Sequence, residues 1–436
     1  MFLEERTNVG LAAAEAERLA RDLYGLTAAA TELPGEYDAN FRLRTSEGPE
    51  FVLKCMHPAR EASFIEMQCA ALEHLAARAP HLTLPRVQLT KQGKPFTEIS
   101  DAAEQKRLVW MLSYLPGATF AKTHPHAPEL LRDLGRFLGQ MDQAFQTFSH
   151  PAAFRGLKWD AARAGWIRGQ LQHIEEPERR ALVGYFLSLY QEQVEERSNA
   201  LRSGTIYGDA NDHNVLVSPP WPQPREIAVI DFGDMHHGWI VSEPAIASAY
   251  ALLRSANPLS VACAITSGFH GALPLTEQEI AALFPLIGVR LAVSVTNSAM
   301  RKKQKPDDPY VTVTEAAAWE ALERLAKIHP RFAQYALRDA CGLPAVPQAG
   351  RIAKWLREQG AKGAGVLEPD LRAAAVRVLD LSVGSAMLGA DPAHVEVRAL
   401  TRTIFAQMEA SQASVGVGRY NEARLLSHQR SMARMR

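Results

Sequence analysis

The chain has 436 residues, beyond the ~250–300 at which one hydrophobic core usually stops growing, so two or three packed units are expected. The 48 Lys and Arg balance 48 Asp and Glu, leaving no overall basic field to draw in nucleic-acid phosphates or acidic lipid surfaces. Hydrophobic residues at 47% and charged residues at 22% suit a folded globular chain and exclude a disordered, collagen-like or coiled-coil one.

The four cysteines, Cys55, Cys69, Cys263 and Cys341, are far apart and form no zinc-ligand spacing, as expected of reduced thiols in a cytoplasmic protein. Acidic Glu4 and Glu5 follow Met1-Phe2-Leu3 directly, so an export signal is not expected. The longest uncharged stretch, Ser255 to Thr276, is broken by Asn257, Pro258, Gly268, His270 and Pro274 and is too polar to cross a hydrocarbon core of ~30 Å. Neither a nucleic acid nor a membrane is an expected partner.

In chain order, Leu11, Ala14, Leu19 and Leu23 give residues 8 to 26 an apolar helical face that stops at Gly25. Residues 39–44 and 50–54 are β-prone runs on either side of a Gly-Pro turn and predict a hairpin. A helix is expected over about 62–79, with Pro80 preventing its continuation. Strands are expected at 86–90 and 107–115. Leu130, Leu134, Phe137, Leu138, Met141 and Phe145 form one helical stripe. Helical patterns resume at 160–202, short strands follow at 206–218 and 226–231, and helices fill the remainder.

The chemistry concentrates in Ile206-Tyr207-Gly208-Asp209-Ala210-Asn211-Asp212-His213-Asn214 and in Val229-Ile230-Asp231-Phe232-Gly233-Asp234. Asp209 follows a short strand at a glycine, where a carboxylate can orient a hydroxyl or accept its proton. Asn214 and Asp231 offer the hard oxygen ligands that Mg2+ requires, with phosphates and water completing its shell. Such a set suits phosphoryl transfer, which depends on positioning and charge stabilisation. Taken singly, an Asp at a Gly turn is commonly no more than a turn residue. His124-Pro125-His126 and His236-His237 lack the further ligands a zinc site needs.

The order of these motifs resembles the aminoglycoside phosphotransferase and choline kinase branch of the protein-kinase-like fold. The resemblance spans about residues 20 to 340. It implies an α+β fold with a small β-rich N-lobe (1–115, nucleotide-binding), a larger helical C-lobe (116–341, catalytic and substrate-binding) and a helical C-terminal extension (342–436). Val52-Leu53-Lys54 looks like the strand lysine that contacts nucleotide phosphates, with Glu66 on the next helix as its expected partner and Gln68 or Glu73 as alternatives. Leu33 to Asn40 stands where a phosphate-covering hairpin would be, and Met111 to Gly117 where the main chain would bind the base.

The branch commonly has His before the Gly-Asp pair, a position held here by Tyr207. Within the branch, the run Asp231 to Met235, together with His150 to Arg155 and Trp159-Asp160, resembles the hydroxylysine kinase group and kinase domains fused to class III aminotransferase-like enzymes. Asp380 to Ser385 and Val417 to Arg424 resemble the segment leading into the next domain of those fusions. The resemblance therefore implies Mg2+, ATP or GTP as donor, and a small amino alcohol as acceptor, with 5-hydroxy-L-lysine the leading expectation. Asp234 is the expected acid for the substrate amine, and a pyridoxal-phosphate-dependent phospho-lyase is a possible pathway partner. Ethanolamine, homoserine or an aminoglycoside are open alternatives, as is a non-catalytic kinase-like scaffold.

Overall fold

A computed structural model describes residues 11–345 apart from 36, 47, 102–103, 219–225 and 305–314. The expected helical extension from 346 onward and its two family-like segments, 380–385 and 417–424, lie outside the described residues. The chain divides into two compact units. Of the described residues, the first takes those up to His124, Gln140–Asp160 and those within 203–240, and the second Pro125–Gly139, Ala161–Arg202 and those from Val241 to 345.

In the first unit, helix α1 (Ala13–Leu19) continues as a π-helical turn to Tyr24 and precedes strands β1 (Ala29–Leu33), β2 (Ala39–Arg44) and β3 (Phe51–Cys55). Helix α2 (Ala62–Arg78) follows, then β4 (Val87–Gln88), β5 (Phe96–Ser100) and β6 (Lys106–Ser113). Among the described residues these strands form one antiparallel sheet in the order β1-β2-β3-β6-β4, with β5 also paired to β6.

Alternation along the strands decides what each face does. Phe41, Leu43, Phe51, Leu53, Cys55, Val109 and Met111 point to one side and bury themselves against Ala16 and Leu19 of α1 and Ala20 of the π-turn. Truncating a fully buried member such as Leu53 would cost about 2–5 kcal/mol. Lys54 lies between two of these core positions and so projects from the opposite face, in register with Trp110 on β6.

Helix α2 forms because Phe64, Ile65, Met67, Gln68, Ala71, Leu72 and Leu75 recur on one side and are buried there. It ends before Pro80, which cannot continue an α-helix. Beyond β7 (Ala118–Thr119), the chain returns to the first unit as two further small sheets. One orders β10 (Ile227–Val229), β9 (Val215–Val217) and β7; the other pairs β11 (His236–Trp239) with β8 (Ser203–Ile206).

Helix α3 (Pro128–Phe145) follows β7, and the second unit contains α4 (Pro177–Gln193), α5 (Ser242–Ala251), α6 (Pro258–Ala272), α7 (Glu277–Gln304), α8 (Glu315–Leu325) and α9 (Pro330–Ala340). The α7 segment Glu277–Lys303 is long and apolar enough to cross a membrane by length and composition, yet its most apolar window is 89% buried inside the protein. At its start Thr276 and Glu279 form a reciprocal cap: Glu279 N–H donates to Thr276 Oγ1 at 3.2 Å and Thr276 N–H to Glu279 Oε2 at 2.8 Å.

Several elements depart from the sequence expectation. Among the described residues, the helix read over 8–26 is α-helical from Ala13 to Leu19 and then widens to a π-turn. Strands β1 and β5 and the β11–β8 pair were not expected. β1 is a mostly exposed edge strand with Ala-Ala-Thr-Glu-Leu, and His-His-Gly-Trp in β11 lacks the apolar alternation of a half-buried strand. The strand region expected at 206–218 resolves into β8, which ends at Ile206, and β9, with the loop 207–214 between them.

Candidate active site

The loop 207–214 is held open by its own turn. Gly208 has φ +76°, and a Cβ there would lie 2.9 Å from His236 Cε1, so only glycine fits both the backbone and the space. Asn211 Oδ1 accepts the amides of His213 at 2.9 Å and Asn214 at 3.0 Å, an Asx turn that reverses the chain. Asn214 Nδ2 then donates to Asp209 Oδ2 at 2.7 Å. The two sequence-expected residues, five positions apart, are thus in direct contact.

The β9–β10 hairpin brings Asp231 to the same end. Its register pairs Val229 with Val215, and Ile230 N–H donates to the Asn214 carbonyl at 2.9 Å. Asp231 has φ +61° and ψ +87°, a left-handed conformation uncommon for a residue with a Cβ and typical of functional sites. Its Oδ1 takes both Gly233 N–H at 3.2 Å and Lys54 Nζ at 3.4 Å. The Lys54 ammonium, followed by the Gly233 amide and a contribution from Arg60, outweighs burial and holds the Asp231 carboxyl below the usual carboxylate range.

A metal would need oxygens that the protein does not already use. Asp231 Oδ2 and Asn214 Oδ1 make no hydrogen bond among the described residues, and the Asp231 side chain is 52% exposed. One carboxylate and one amide oxygen fit a hard divalent ion that keeps water and phosphate ligands. Among the described residues no group of three or more His, Cys, Asp or Glu could hold a metal.

The expected Lys54–Glu66 pair is absent among the described residues, where the ion-pair partner of Lys54 is Asp231. The reason is helical phase. Phe64, Ile65, Met67 and Gln68 take the buried side of α2, which turns Glu66, and Glu73 seven residues on, toward solvent. Gln68 points inward but donates to the Phe64 carbonyl at 3.2 Å.

Tyr207 replaces the expected histidine with a working contact. It is fully buried, its hydroxyl donates to the Ile230 carbonyl at 2.5 Å, and its ring meets Phe232 edge-on with centroids 5.0 Å apart. Tyr207 therefore grips the residues on both sides of Asp231.

Asp234 lies on the short 3-10 turn Phe232–Asp234, half-buried, and its carbonyl accepts from His236 Nδ1 at 2.8 Å. His236 is itself buried, with Nε2 3.6 Å from Asp160. Asp212, the other acid of the loop, is 4% exposed, which leaves Asp234 as the more accessible of the two.

Sequence reasoning did not single out Arg155 or Arg60. Arg155 donates to the Gly233 carbonyl and, at 3.0 Å, to the Met235 carbonyl, while its guanidinium stacks 4.9 Å from the Phe64 ring centre. Burial lowers its pKa to about 10, Asp234 opposing and Arg60 reinforcing that shift. The run His150 to Arg155 was legible as family-like, but nothing local showed that its arginine reaches a turn about eighty residues away.

At the turn between β1 and β2, the expected phosphate-covering position, a Cβ on Gly35 would overlap the Asp38 carbonyl oxygen. The region expected to bind the base is partly committed, since Ser113 N–H donates to Arg86 O at 2.8 Å and Tyr114 N–H to Glu50 O at 2.9 Å.

Residues 29–273 match the family model described as "Phosphotransferase enzyme family". Hydroxylysine kinase of Danio rerio is 31% identical over 314 residues, covering 70% of this chain and 88% of that protein. Hydroxylysine kinase of Mus musculus is 28% identical over 333 residues, covering 72% and 88%. Among solved structures, a microcompartment-associated aminopropanol kinase superposes with a TM-score of 0.56 at 19% identity, covering 77% of this chain and 100% of that one. Amicoumacin kinase hAmiN, in complex with AMP-PNP, Ca2+ and Ami, superposes with a TM-score of 0.55 at 15% identity, covering 72% and 93%. These likenesses carry the protein-kinase-like fold. The chain belongs to the phosphotransferase enzyme family and is a kinase with an alcohol group as acceptor.

Proposed function

We propose that the protein transfers the γ-phosphate of ATP or GTP to the hydroxyl of 5-hydroxy-L-lysine, with Mg2+ as the metal. The observation that carries the choice of acceptor is that the zebrafish and mouse relatives, matched over 88% of their own lengths, are both hydroxylysine kinases. In this reading Asp209, braced by Asn214, orients the acceptor hydroxyl and takes its proton. Asn214 and Asp231 would hold Mg2+, which would supply positive charge to offset that of the nucleotide phosphates. Lys54 lies 3.4 Å from Asp231, within reach of phosphates placed beside the metal. Asp234 receives a substrate ammonium, because a cation taken out of water needs a partner charge.

The division into an N-lobe over 1–115, a C-lobe over 116–341 and an extension over 342–436 belongs to the same proposal. So does a cytoplasmic location, which the four free cysteine thiols support. A product with vicinal amine and phosphate groups would suit a pyridoxal-phosphate-dependent phospho-lyase. The test is a phosphate-transfer screen with Mg2+ and each of ATP and GTP over 5-hydroxylysine, ethanolamine, homoserine and an aminoglycoside. The expected result is the highest kcat/KM for 5-hydroxylysine; a clear preference for another acceptor overturns the assignment.

A further inference from the structure

Arg60, in the segment between β3 and α2, is a cation whose guanidinium makes no hydrogen bond among the described residues. Its Nε is buried without a partner, and its side chain is only 22% exposed. The nearest acid, Asp38 in the β1–β2 turn, stands 3.7 Å from Nη2, beyond hydrogen-bond distance. Asp38 instead accepts His57 N–H at 2.8 Å, which ties that turn to the segment carrying Arg60. The guanidinium is held by aromatic rings, 4.5 Å from the Phe64 centre and 5.7 Å from the Tyr37 centre.

Phe64 also stacks against Arg155, and its ring edge lies 4.0 Å from where a Cβ on Gly233 would be. Arg60 is thereby placed between the β1–β2 turn and the turn that follows Asp231. Its charge is felt at both ends of that cluster: it contributes to lowering the Asp231 carboxyl and to lowering Arg155. The ion pair with Asp38 leaves the Arg60 Nε buried without an acceptor, and a buried donor without a partner costs free energy. The planar guanidinium fork suits two oxygens of a phosphate.

We infer that Arg60 is a catalytic residue that binds the terminal phosphoryl oxygens of the nucleotide and stabilises their charge during transfer. The inference rests on the nucleotide-site reading above. In the step, the acceptor oxygen bonds to the γ-phosphorus as the bond from that phosphorus to the β–γ bridging oxygen breaks. The electron pair leaves with the nucleoside diphosphate, and the acceptor proton passes to Asp209. Lys54 pairs with Asp231 at 3.4 Å, so Arg60 supplies a second cation.

The experiment compares wild type, Arg60→Met and Arg60→Lys for binding of AMP-PNP and of ADP by calorimetry with Mg2+, alongside steady-state kinetics and Tm. A role on the terminal phosphoryl group predicts that Arg60→Met weakens AMP-PNP by about tenfold and leaves ADP nearly unchanged. It also predicts that kcat falls by about 10²-fold or more. Arg60→Lys keeps the charge without the fork and should recover part of the loss. Equal losses for AMP-PNP and ADP, or a change confined to the acceptor's KM, would overturn the assignment of Arg60 while the kinase reading stands. Wild-type protein that binds neither nucleotide would overturn both. If Arg60→Met fails to fold, Arg60→Lys decides on the same comparison.

Discussion

The hydroxyl of the fully buried Tyr207 donates to the Ile230 carbonyl at 2.5 Å and so braces the peptide that enters the strained backbone of Asp231. Tyr207→Phe keeps the ring against Phe232 but leaves that carbonyl without its donor. Loss of such a buried bond is expected to cost about 1–3 kcal/mol of stability. It should also raise the Mg2+ concentration needed for half-maximal activity, because Asp231 loses a brace. A metal titration of activity alongside thermal melts checks both; an unchanged Mg2+ requirement would confine Tyr207 to packing.

Asp209→Asn preserves the size of the side chain and removes its basicity. We expect kcat to fall by ~10²-fold or more with nucleotide affinity nearly intact, the signature of a group acting on the transferred proton. Asp231→Asn should behave in the opposite sense, weakening Mg2+-dependent nucleotide binding directly. Wild-type turnover from Asp209→Asn would remove that residue from the mechanism.

Lys54, proposed for the nucleotide site, and the exposed Glu66 should respond differently to substitution. Lys54→Met should impair nucleotide use and, by removing the charge that depresses Asp231, let that carboxyl rise toward the ordinary range. Glu66→Ala and Glu73→Ala change exposed positions of α2 and should shift stability by no more than about 0.5 kcal/mol. A defect in Glu66→Ala comparable to that of Lys54→Met would show that the pair forms during turnover.

Asp234→Asn tests the proposed acid for the amine. KM should rise for amine-bearing acceptors and stay unchanged for a matched alcohol without the amine, narrowing the preference between them. Steady-state kinetics on the two acceptors decides, and equal effects on both would move Asp234 out of substrate recognition.

The pH dependence of stability has a defined contribution from Glu279, whose side chain is fully buried at the start of α7. Burial alone would raise its pKa, but hydrogen bonds from Arg202 and from the Thr276 amide outweigh it, and the carboxyl is lowered. A lowered folded-state pKa gives stability that is fully present above the unfolded value of ~4.3 and is lost as pH falls through the lower folded value. Melts between about pH 6 and pH 3 should therefore show a steeper decline for wild type than for Glu279→Gln. Parallel slopes would contradict this.

Sequence alone determined the parts whose physics is local. The apolar stripe and terminating Pro80 of α2, the β2–β3 hairpin, and the placement of Asp209, Asn214 and Asp231 at strand ends all follow from patterns within a few residues, and the order of those motifs identified the family. Contacts between distant segments were decided by the tertiary structure. The phase of α2 was set by which side the core claimed, so Glu66 faces solvent and Lys54 turns to Asp231, 177 residues away. Tyr207 looked like a lapse in the motif until folding set its hydroxyl on Ile230. Arg60 had no distinguishing neighbours in the chain, and Arg155 only a family-like run, because the contacts of both arise where Phe64, the β1–β2 turn and the turn after Asp231 come together.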